Sequence, residues 1–493
     1  MNPLKKLAEQ TVIYGLSSVV GRLLNYLLVP LYTRYFLPEE YGIVTELYAY
    51  VAFLVVILTY GIETAFFRYS QKTSNKRIVY STSLISLLFT SILFLFIIFS
   101  FSQPIADWLQ YPNNKEYIQY FALIIGLDAI SAISFAKLRE KNNAVRFALI
   151  RLLNIIINIG LNLFFIIYCP YAIDNGLSSS QFLKSIYSEN YGVGYIFVAN
   201  LIASIITFLM LLPEMIKSAW IFDKQLWKKM MIYAFPLLIA GLAGMTNETI
   251  DRILLRHLLP HDLNISEQIG LYGAFYKLSI LIVLFIQTFR FAAEPFFFAQ
   301  EKEKNSKKVY ADVMKYFIII TSFIFLVVTM LYEIIINFLG PNYHDDRGFI
   351  TVSILLAANL FLGIYYNLSI WYKLSEKTKY GAYLSIFGAI ITLFLNFLLI
   401  PVLGFVGSAW ATFVCYFFMT IVSYLLGRKH YKIPYPIKRI FLYLGVVFVL
   451  FFVSVLFSLS IIIKSIFIFL FILITFIIEK PKKVVISKPK LFD

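Results

Sequence analysis

The sequence predicts an all-α, polytopic membrane protein with about fourteen transmembrane helices. Of its 493 residues, 60% are hydrophobic and only 14% are charged, and the mean hydropathy is +0.79. Soluble domains have about 25% charged residues. The apolar runs are unbroken and about twenty residues long, which is the length an α-helix needs to cross the hydrocarbon; barrel strands would show about ten alternating residues.

The apolar runs define the predicted helices in chain order. They cover residues 10–33, 42–67, 79–101, 117–136, 144–168, 191–213, 230–257, 269–297, 312–338, 349–372, 379–401, 405–427, 439–459 and 461–478. The first run follows a basic start, as in a signal sequence, but it continues too long and lacks a small-residue cleavage site. We therefore expect an uncleaved first helix.

Lysine and arginine are concentrated in alternate connectors. The basic set comprises Lys5 and Lys6, Lys72 to Arg77, Lys137 to Lys141, Lys217 to Lys229, Lys302 to Lys308, Lys373 to Lys379, Arg428 to Arg439, and Lys480 to Lys490. Because cytoplasmic loops have an excess of Lys and Arg, both termini are predicted to be cytoplasmic, with the protein in the cytoplasmic (inner) membrane. This orientation accounts for the net charge of +16 without nucleic-acid binding.

A repeat divides most of the chain into two similar halves. RYFLP at 34–38 and RHLLP at 256–260 share an Arg-x-x-Leu-Pro pattern, and a Gly-containing segment, 41–43 or 269–271, opens the next helix in each half. An offset of six helices keeps both copies in one orientation, which predicts two parallel, pseudo-symmetric six-helix lobes around a central cavity. The predicted lobes are residues 1–216 and 217–428, followed by two extra helices and a basic tail in 429–493.

Two facing lobes are typical of a transporter that alternates access to its cavity. No P-loop, HExxH, GxSxG or metal-spaced His/Cys cluster occurs in the sequence. No predicted connector exceeds roughly twenty-five residues, which is too short for a folded catalytic domain. We expect a protein that is not an enzyme and has no cofactor or metal.

Charged residues inside the predicted helices are candidates for the functional site, because each costs at least about 2.5–3.5 kcal/mol at bilayer depth. Arg22 lies roughly 18 Å from the cytoplasmic end of helix 1, which is too deep for easy snorkelling. It shares a face with Gly15, Ser18 and Asn25. We expect Arg22 and Asn25 to line an aqueous cavity; the alternative is a structural pair.

Helices 7 and 8 contain the densest set of charges. Glu248 and Arg252 are four residues apart on helix 7, so they either neutralise each other or serve function, and Asp251 lies beside them. Lys277 lies on a polar stripe of helix 8, where a cavity role and a structural role are both open. We take Arg252 and Lys277 as candidate substrate contacts, and Glu248 and Asp251 as candidates for ion coupling or gating.

The remaining intramembrane charges permit more than one interpretation. Arg290 and Glu294 are four residues apart near the inner end of helix 8, which favours a structural pair or a gate over a ligand site. Arg151 begins a polar stripe of asparagines on helix 5 that either contacts substrate or bonds neighbouring helices. Asp128 and Glu63 are isolated acids that either carry a proton or pair with a nearby arginine.

The predicted cavity chemistry suits an anionic cargo. Several guanidinium and ammonium groups with few acids would attract a phosphate or pyrophosphate, and arginine can bind two oxygens at once. Asparagine and tyrosine side chains beside them could contact sugar hydroxyls.

Four segments carry a resemblance to a known family. They are LVPLYTRYFLPEEYGIVTELYAY, FPLLIAGLAGMTNETIDRILLRHLL, IGLYGAFYKLSILI and LNFLLIPVLGFVGSAWAT. In order and spacing they resemble the polysaccharide transporters, the O-antigen flippase-like branch of the multidrug/oligosaccharidyl-lipid/polysaccharide exporter superfamily.

The resemblance implies a flippase. It implies ATP-independent translocation of an undecaprenyl-pyrophosphate-linked oligosaccharide from the cytoplasmic to the periplasmic leaflet, in O-antigen, lipopolysaccharide, capsule or exopolysaccharide biosynthesis. Its implied partners are this lipid-linked oligosaccharide, membrane lipid and polysaccharide polymerase machinery. Cationic cavity residues are the usual substrate contacts of the family, and Arg22, Arg252 and Lys277 best match them. No coupling-ion site matches residue by residue.

Two other functions remain open at this point. An ion-coupled multidrug exporter of the same superfamily would need dominant acids in its cavity, which the surplus of Arg and Lys disfavours. A membrane glycan polymerase or ligase usually has a long outer loop with Arg or His, but the longest one here, about residues 169–190, contains only Lys184 as a base.

Overall fold

The computed structural model describes residues 20–73, 75–260, 262–301, 303 and 305–479. Within these ranges every regular element is helical. Thirteen of the helices described are long and apolar enough to cross a membrane. The predicted all-α membrane architecture is confirmed, and helix α1 precedes these thirteen. Lys5, Lys6, Gly15, Ser18, Lys302, Lys304 and the tail Lys480 to Lys490 lie outside the described residues.

The helices follow the predicted order closely. Helix α1 comprises residues 20–26 and, after a turn at Leu27, Leu28–Tyr35. The others are α2 (Pro38–Lys72), α3 (Lys76–Ser100), α4 (Lys115–Glu140), α5 (Ala144–Asp174), α6 (Gly194–Ile216), α7 (Lys224–Leu258), α8 (Ile265–Gln300), α9 (Ser306–Met330), α10 (Gly348–Leu374), α11 (Lys379–Leu403), α12 (Phe405–His430), α13 (Ile437–Leu456) and α14 (Ile461–Ile478). Short helices Ser102–Trp108 and Ser180–Ile186 lie in connectors.

Local sequence explains where α1 breaks and where α2 begins and breaks. The turn at Leu27 precedes Pro30, which lacks the N–H that would bond to residue 26. Pro38 stands in the first turn of α2, where no N–H partner is needed, and the Glu40 carboxylate accepts a hydrogen bond from Leu37 N at 2.8 Å. Further along, α2 breaks at Gly61 (φ +72°), which lies against the backbone of α7.

Helices α1–α6 form one lobe and α7–α12 form a second, pseudo-symmetric lobe. Polar contacts hold the first lobe together, such as Tyr32 Oη donating to Asn162 Oδ1 at 2.9 Å between α1 and α5. In the second lobe Tyr416 Oη on α12 donates to the backbone oxygen of Asn247 on α7 at 3.1 Å. Helices α13 and α14 pack outside this lobe against α9, where Lys315 pairs with Glu479 just beyond α14.

The two lobes meet most closely where α2 and α8 begin. We call this the turn end, defined by the connectors 36–37 and 259–264; the opposite basic end carries the Lys- and Arg-rich connectors. A Cβ on Gly42 would lie 1.9 Å from the Ser266 carbonyl oxygen, and a Cβ on Gly270 would lie 1.8 Å from that of Pro38. Only glycine permits this backbone approach. The two repeat segments predicted to be equivalent therefore pack against each other.

Candidate substrate cavity

A cavity of about 430 Å³ lies between the two lobes. Its walls come from α1, α2, α5 and α6 on one side and from α7 and α8 on the other. The polar lining residues are Asn25, Tyr32, Tyr41, Thr45, Tyr48, Asn154, Asn158, Asn200, Glu248, Thr249, Arg252, Tyr276 and Lys277. Predicted site residues Asn25, Glu248, Arg252 and Lys277 are thus brought together from three helices.

Arg252 is held in the cavity wall by contacts with three neighbours. Its Nη1 donates to the Glu248 carbonyl oxygen at 2.7 Å and pairs with Asp251 Oδ1 at 3.3 Å, and its guanidinium lies 4.1 Å from the centre of the Tyr276 ring. Asp251 is buried and also accepts a hydrogen bond from Tyr272. The side-chain pair between Glu248 and Arg252 that their spacing permits is not formed. Glu248 instead leaves its carboxylate in the exposed cavity lining.

Lys277 is the lining cation that remains available to a ligand. Its ammonium has no hydrogen bond or ion pair with any residue that the structure describes, although it lines the cavity. One turn earlier, a Cβ on Gly273 would lie 2.4 Å from Thr45 Oγ1, so α8 packs tightly on α2 just before Lys277. The lining thus combines two cations, one already bonded and one without a partner, with a single carboxylate.

Asparagine side chains line the opposite wall. Asn154 Nδ2 donates to Thr207 Oγ1 at 2.9 Å, and Asn200 Nδ2 donates to Tyr48 Oη at 2.6 Å. The first bond joins α5 to α6, so the stripe does bond neighbouring helices. An amide has two donors and one acceptor oxygen, so each still has groups with which to bind a hydroxyl-rich ligand.

Seven predicted residues do not line this cavity; they include Asp251, behind Arg252, and Arg290 and Glu294, described below. Arg22 is exposed one turn from Asn25. The Arg151 guanidinium lies 4.3 Å from the centre of the Phe135 ring. The other two are acids. Glu63 pairs with Arg139 at 2.7 Å, and Asp128 lies on α4 with an exposed side chain.

Arg290 and Glu294 lie near the basic end of α8. Their side chains pair at 3.7 Å, and Lys373 on α10 reaches Glu294 at 2.6 Å. The Arg290 guanidinium also lies 4.2 Å from the centre of the Tyr366 ring on α10. These contacts stay within one lobe and hold α8 against α10.

A buried ion pair at the turn end was missed by the sequence reasoning. Glu46 on α2 is fully buried, and its Oε2 accepts hydrogen bonds from Arg256 Nε at 2.9 Å and from Tyr111 Oη at 2.5 Å. Arg256, on α7, also donates to Ser266 Oγ on α8 at 3.1 Å. The cluster therefore joins the two lobes. Glu46 is an acid inside an apolar run, which was the available signal, but Arg256 was taken only as part of a turn motif.

Across the described ranges, no three His, Cys, Asp or Glu side chains come together so as to hold a metal ion. Cys169 and Cys415 are both buried, free cysteines.

Comparisons with known proteins agree with this architecture. The family described as "Polysaccharide biosynthesis protein" matches residues 7–299. The lipid II flippase MurJ in an inward closed conformation is similar in structure, with a TM-score of 0.73 and 17% identity, covering 95% of this chain and 99% of that one. An inward-facing multidrug resistance MATE transporter of the MOP superfamily has a TM-score of 0.64 and 13% identity, covering 85% and 94%.

Two further comparisons gave one match and one negative result. An outward-facing MATE transporter has a TM-score of 0.59 and 14% identity, covering 87% of this chain and 96% of that one. No curated protein sequence matches the chain. At these identities the structural likeness shows the fold alone, whereas the family match spans more than half of the chain. The chain belongs to the family described as polysaccharide biosynthesis protein.

Proposed function

We propose that this protein flips an undecaprenyl-pyrophosphate-linked oligosaccharide from the cytoplasmic to the periplasmic leaflet of the inner membrane. The observation that carries the proposal is the Lys277 ammonium, which has no ion pair or hydrogen bond with any described residue and lines, with Arg252, a cavity between two lobes. A pyrophosphate needs such cations, and the asparagines opposite suit sugar hydroxyls. The family match and the fold of a lipid II flippase support the same class of cargo. The product would serve O-antigen, capsule or exopolysaccharide biosynthesis.

Alternating access supplies the mechanism. With both termini cytoplasmic, the turn end faces the periplasm and the basic end faces the cytoplasm. The lobes, residues 1–216 and 217–428, would separate at one end while closing at the other. Arg22 would meet the pyrophosphate as it enters, before Lys277 and Arg252 bind it. Glu248 is the candidate for ion coupling, because its carboxylate lies in the same lining as the two cations.

A genetic test uses Lys277→Ala in a strain that makes a surface polysaccharide. Loss of a charge-assisted contact costs about 1.5–3 kcal/mol, so surface polysaccharide should fall about tenfold or more. Unflipped lipid-linked intermediate should accumulate on the cytoplasmic face. Lys184→Ala, in an exposed connector, is the matched control and should leave polysaccharide at the wild-type level.

Three results would contradict the proposal. Wild-type polysaccharide in Lys277→Ala, at normal protein abundance, would exclude the cavity as the cargo site. Short unpolymerised chains outside the cell would indicate a glycan polymerase or ligase. Sensitivity of a deletion strain to cationic drugs, with normal polysaccharide, would indicate a multidrug exporter.

A further inference from the structure

A second, strongly basic pocket lies at the basic end of the first lobe, away from the substrate cavity. Its volume is about 70 Å³, space for several waters. It is formed where α3 begins, α4 ends and the linker from α6 to α7 crosses between them. The residues that carry the argument are Lys76, Arg77, Lys137, Lys141, Lys217 and Ser218. None of the residues that line it lines the substrate cavity.

The pocket has more positive charge than its carboxylates neutralise. Lys76 pairs with Glu140 at 2.6 Å, while Lys137 and Lys141 pair with Glu214 at 3.2 and 3.4 Å. Glu214 also pairs with Arg146, outside the pocket, at 2.9 Å.

Two lining cations remain. Arg77 and Lys217 are exposed and form no ion pair with any residue in the described ranges. Several converging cations with too few acids favour an anion with more than one acceptor oxygen.

An unsatisfied hydroxyl points to the same kind of ligand. Ser218 Oγ is buried in the pocket lining and has no hydrogen-bond partner among the residues described. Buried polar atoms are nearly always hydrogen-bonded, so an orphaned one calls for an occupant. A phosphate oxygen would accept a bond from this hydroxyl and from the neighbouring cations at once.

The linker beside the pocket has the character of a membrane interface. The linker exposes three large apolar side chains shortly after Ser218, namely Trp220, Ile221 and Phe222. The backbone there is anchored on α3, because Ile221 N donates to Ser81 Oγ at 2.7 Å. Tryptophan is enriched where membrane meets water. A ligand with a phosphate head and apolar tails would use both the pocket and this rim, whereas free phosphate would use the pocket alone.

We propose that this pocket binds the phosphate headgroup of an anionic phospholipid in the leaflet at the basic end. Basic pockets between transmembrane helices on the cytoplasmic side are known to recognise such headgroups. The site is built partly from the linker that joins the two lobes, so the bound lipid would anchor the linker to the first lobe. This binding does not depend on the identity of the transported cargo.

The test titrates the full-length purified protein with three probes: short-chain phosphatidylglycerol, short-chain phosphatidylcholine and inorganic phosphate. Thermal unfolding is followed, since a ligand of the folded state raises its midpoint. Phosphatidylglycerol should raise the midpoint at the lowest concentration. Replacing Arg77→Gln and Lys217→Gln together should raise the concentration needed at least about tenfold, the worth of one charge-assisted contact. Ser218→Ala should have a smaller effect in the same direction.

The matched control replaces two exposed lysines of the same end that do not line the pocket, Lys224→Gln and Lys228→Gln. An equal weakening in both double variants would overturn the assignment to this pocket. Equal binding of inorganic phosphate and phosphatidylglycerol would overturn the assignment to a lipid, and equal binding of phosphatidylcholine would overturn the requirement for an anionic one. The assay contains no lipid-linked sugar, so its failure leaves the proposed transport function standing.

Discussion

Replacing Arg256 with methionine should open the turn end of the protein. The change leaves the fully buried Glu46 carboxylate with Tyr111 as its only remaining donor among the described residues. Removing one partner of a buried ion pair costs about 3–5 kcal/mol, which corresponds to a shift of roughly two to four orders of magnitude in an equilibrium. Glu46 and Arg256 belong to different lobes and pair when the turn end is closed. The substitution therefore raises the free energy of the closed state and favours opening.

Thiol labelling measures the opening. Cys169 and Cys415 are replaced by alanine, and a single cysteine is introduced at Val44, which lines the cavity near the turn end and is 4% exposed. A membrane-impermeant maleimide should label the parent slowly and the Arg256→Met variant at least about a hundredfold faster.

The double variant Glu46→Leu with Arg256→Met decides the interpretation. Exchange of a buried ion pair for apolar groups is often close to neutral, so labelling should return to within about tenfold of the parent rate. Arg34→Met, which alters the exposed repeat counterpart, is the control and should not change labelling. If Arg256→Met and the double variant labelled equally fast, the ion pair would not be what holds the turn end closed.

Three further predictions concern packing, hydrogen bonding and pH. Gly42→Ala should destabilise the protein by about 1–3 kcal/mol, because the new Cβ would lie 1.9 Å from a backbone oxygen of α8. Gly160→Ala is the control and should not destabilise it, because nothing lies within 4 Å of that Cβ; thermal unfolding compares the two variants. Asn396→Leu should cost about 1–3 kcal/mol, because a buried serine hydroxyl of α12 loses its acceptor at 2.9 Å; denaturation measures it. Hydrogen bonds from Arg347 hold the pKa of Asp345 below its usual value of about 3.9, so their stabilisation is present above that pH and lost as the pH falls through the lowered pKa. The difference in unfolding midpoint between wild type and Asp345→Asn should therefore begin to shrink below about pH 4 and vanish only below the lowered pKa.

Hydropathy was enough to predict the helices, because a membrane span must satisfy its backbone internally and stay apolar over a fixed length. Helix α9 illustrates the limit of that signal. The predicted run 312–338 continues past Met330, where the structure has short helical turns instead. The turns there are apolar because they pack on α1, as Phe338 stacks with Tyr26 at 5.0 Å.

The cavity could be predicted only in part. Asn25, Arg252 and Lys277 could be identified because a polar group in an apolar helix is energetically costly, and each can be recognised from the sequence of its own helix. The sequence could not identify the ion-pair partner of Arg252, because Glu248 and Asp251 both lie close enough along the helix to pair with it. The Glu46 and Arg256 pair was further out of reach, since its members are separated by 210 residues and no periodicity connects them.

The contact between Gly42 and Gly270 has the geometry of an isologous interface formed within a single chain. Two copies of a half-length protein around a twofold axis would place this same backbone opposite itself. The neighbouring side chains do not keep that symmetry. Counting four residues from each glycine leads to Glu46 in one half and to Ala274 in the other.

The counterpart of Arg256 also differs, because Arg34 is exposed and reaches the Asn337 carbonyl oxygen at 3.5 Å. The buried charge pair thus stands on one side of the pseudo-twofold axis, with no equivalent at the matching positions. A symmetric interface between the lobes would open equally on both sides of the axis. Here one side is joined by a buried charge pair and the other by uncharged hydrogen bonds, since Gly340 N donates to Thr33 Oγ1 at 3.1 Å and Tyr343 Oη donates to the Phe36 carbonyl oxygen at 3.0 Å. Replacing Arg256 should therefore weaken its own side of the interface alone.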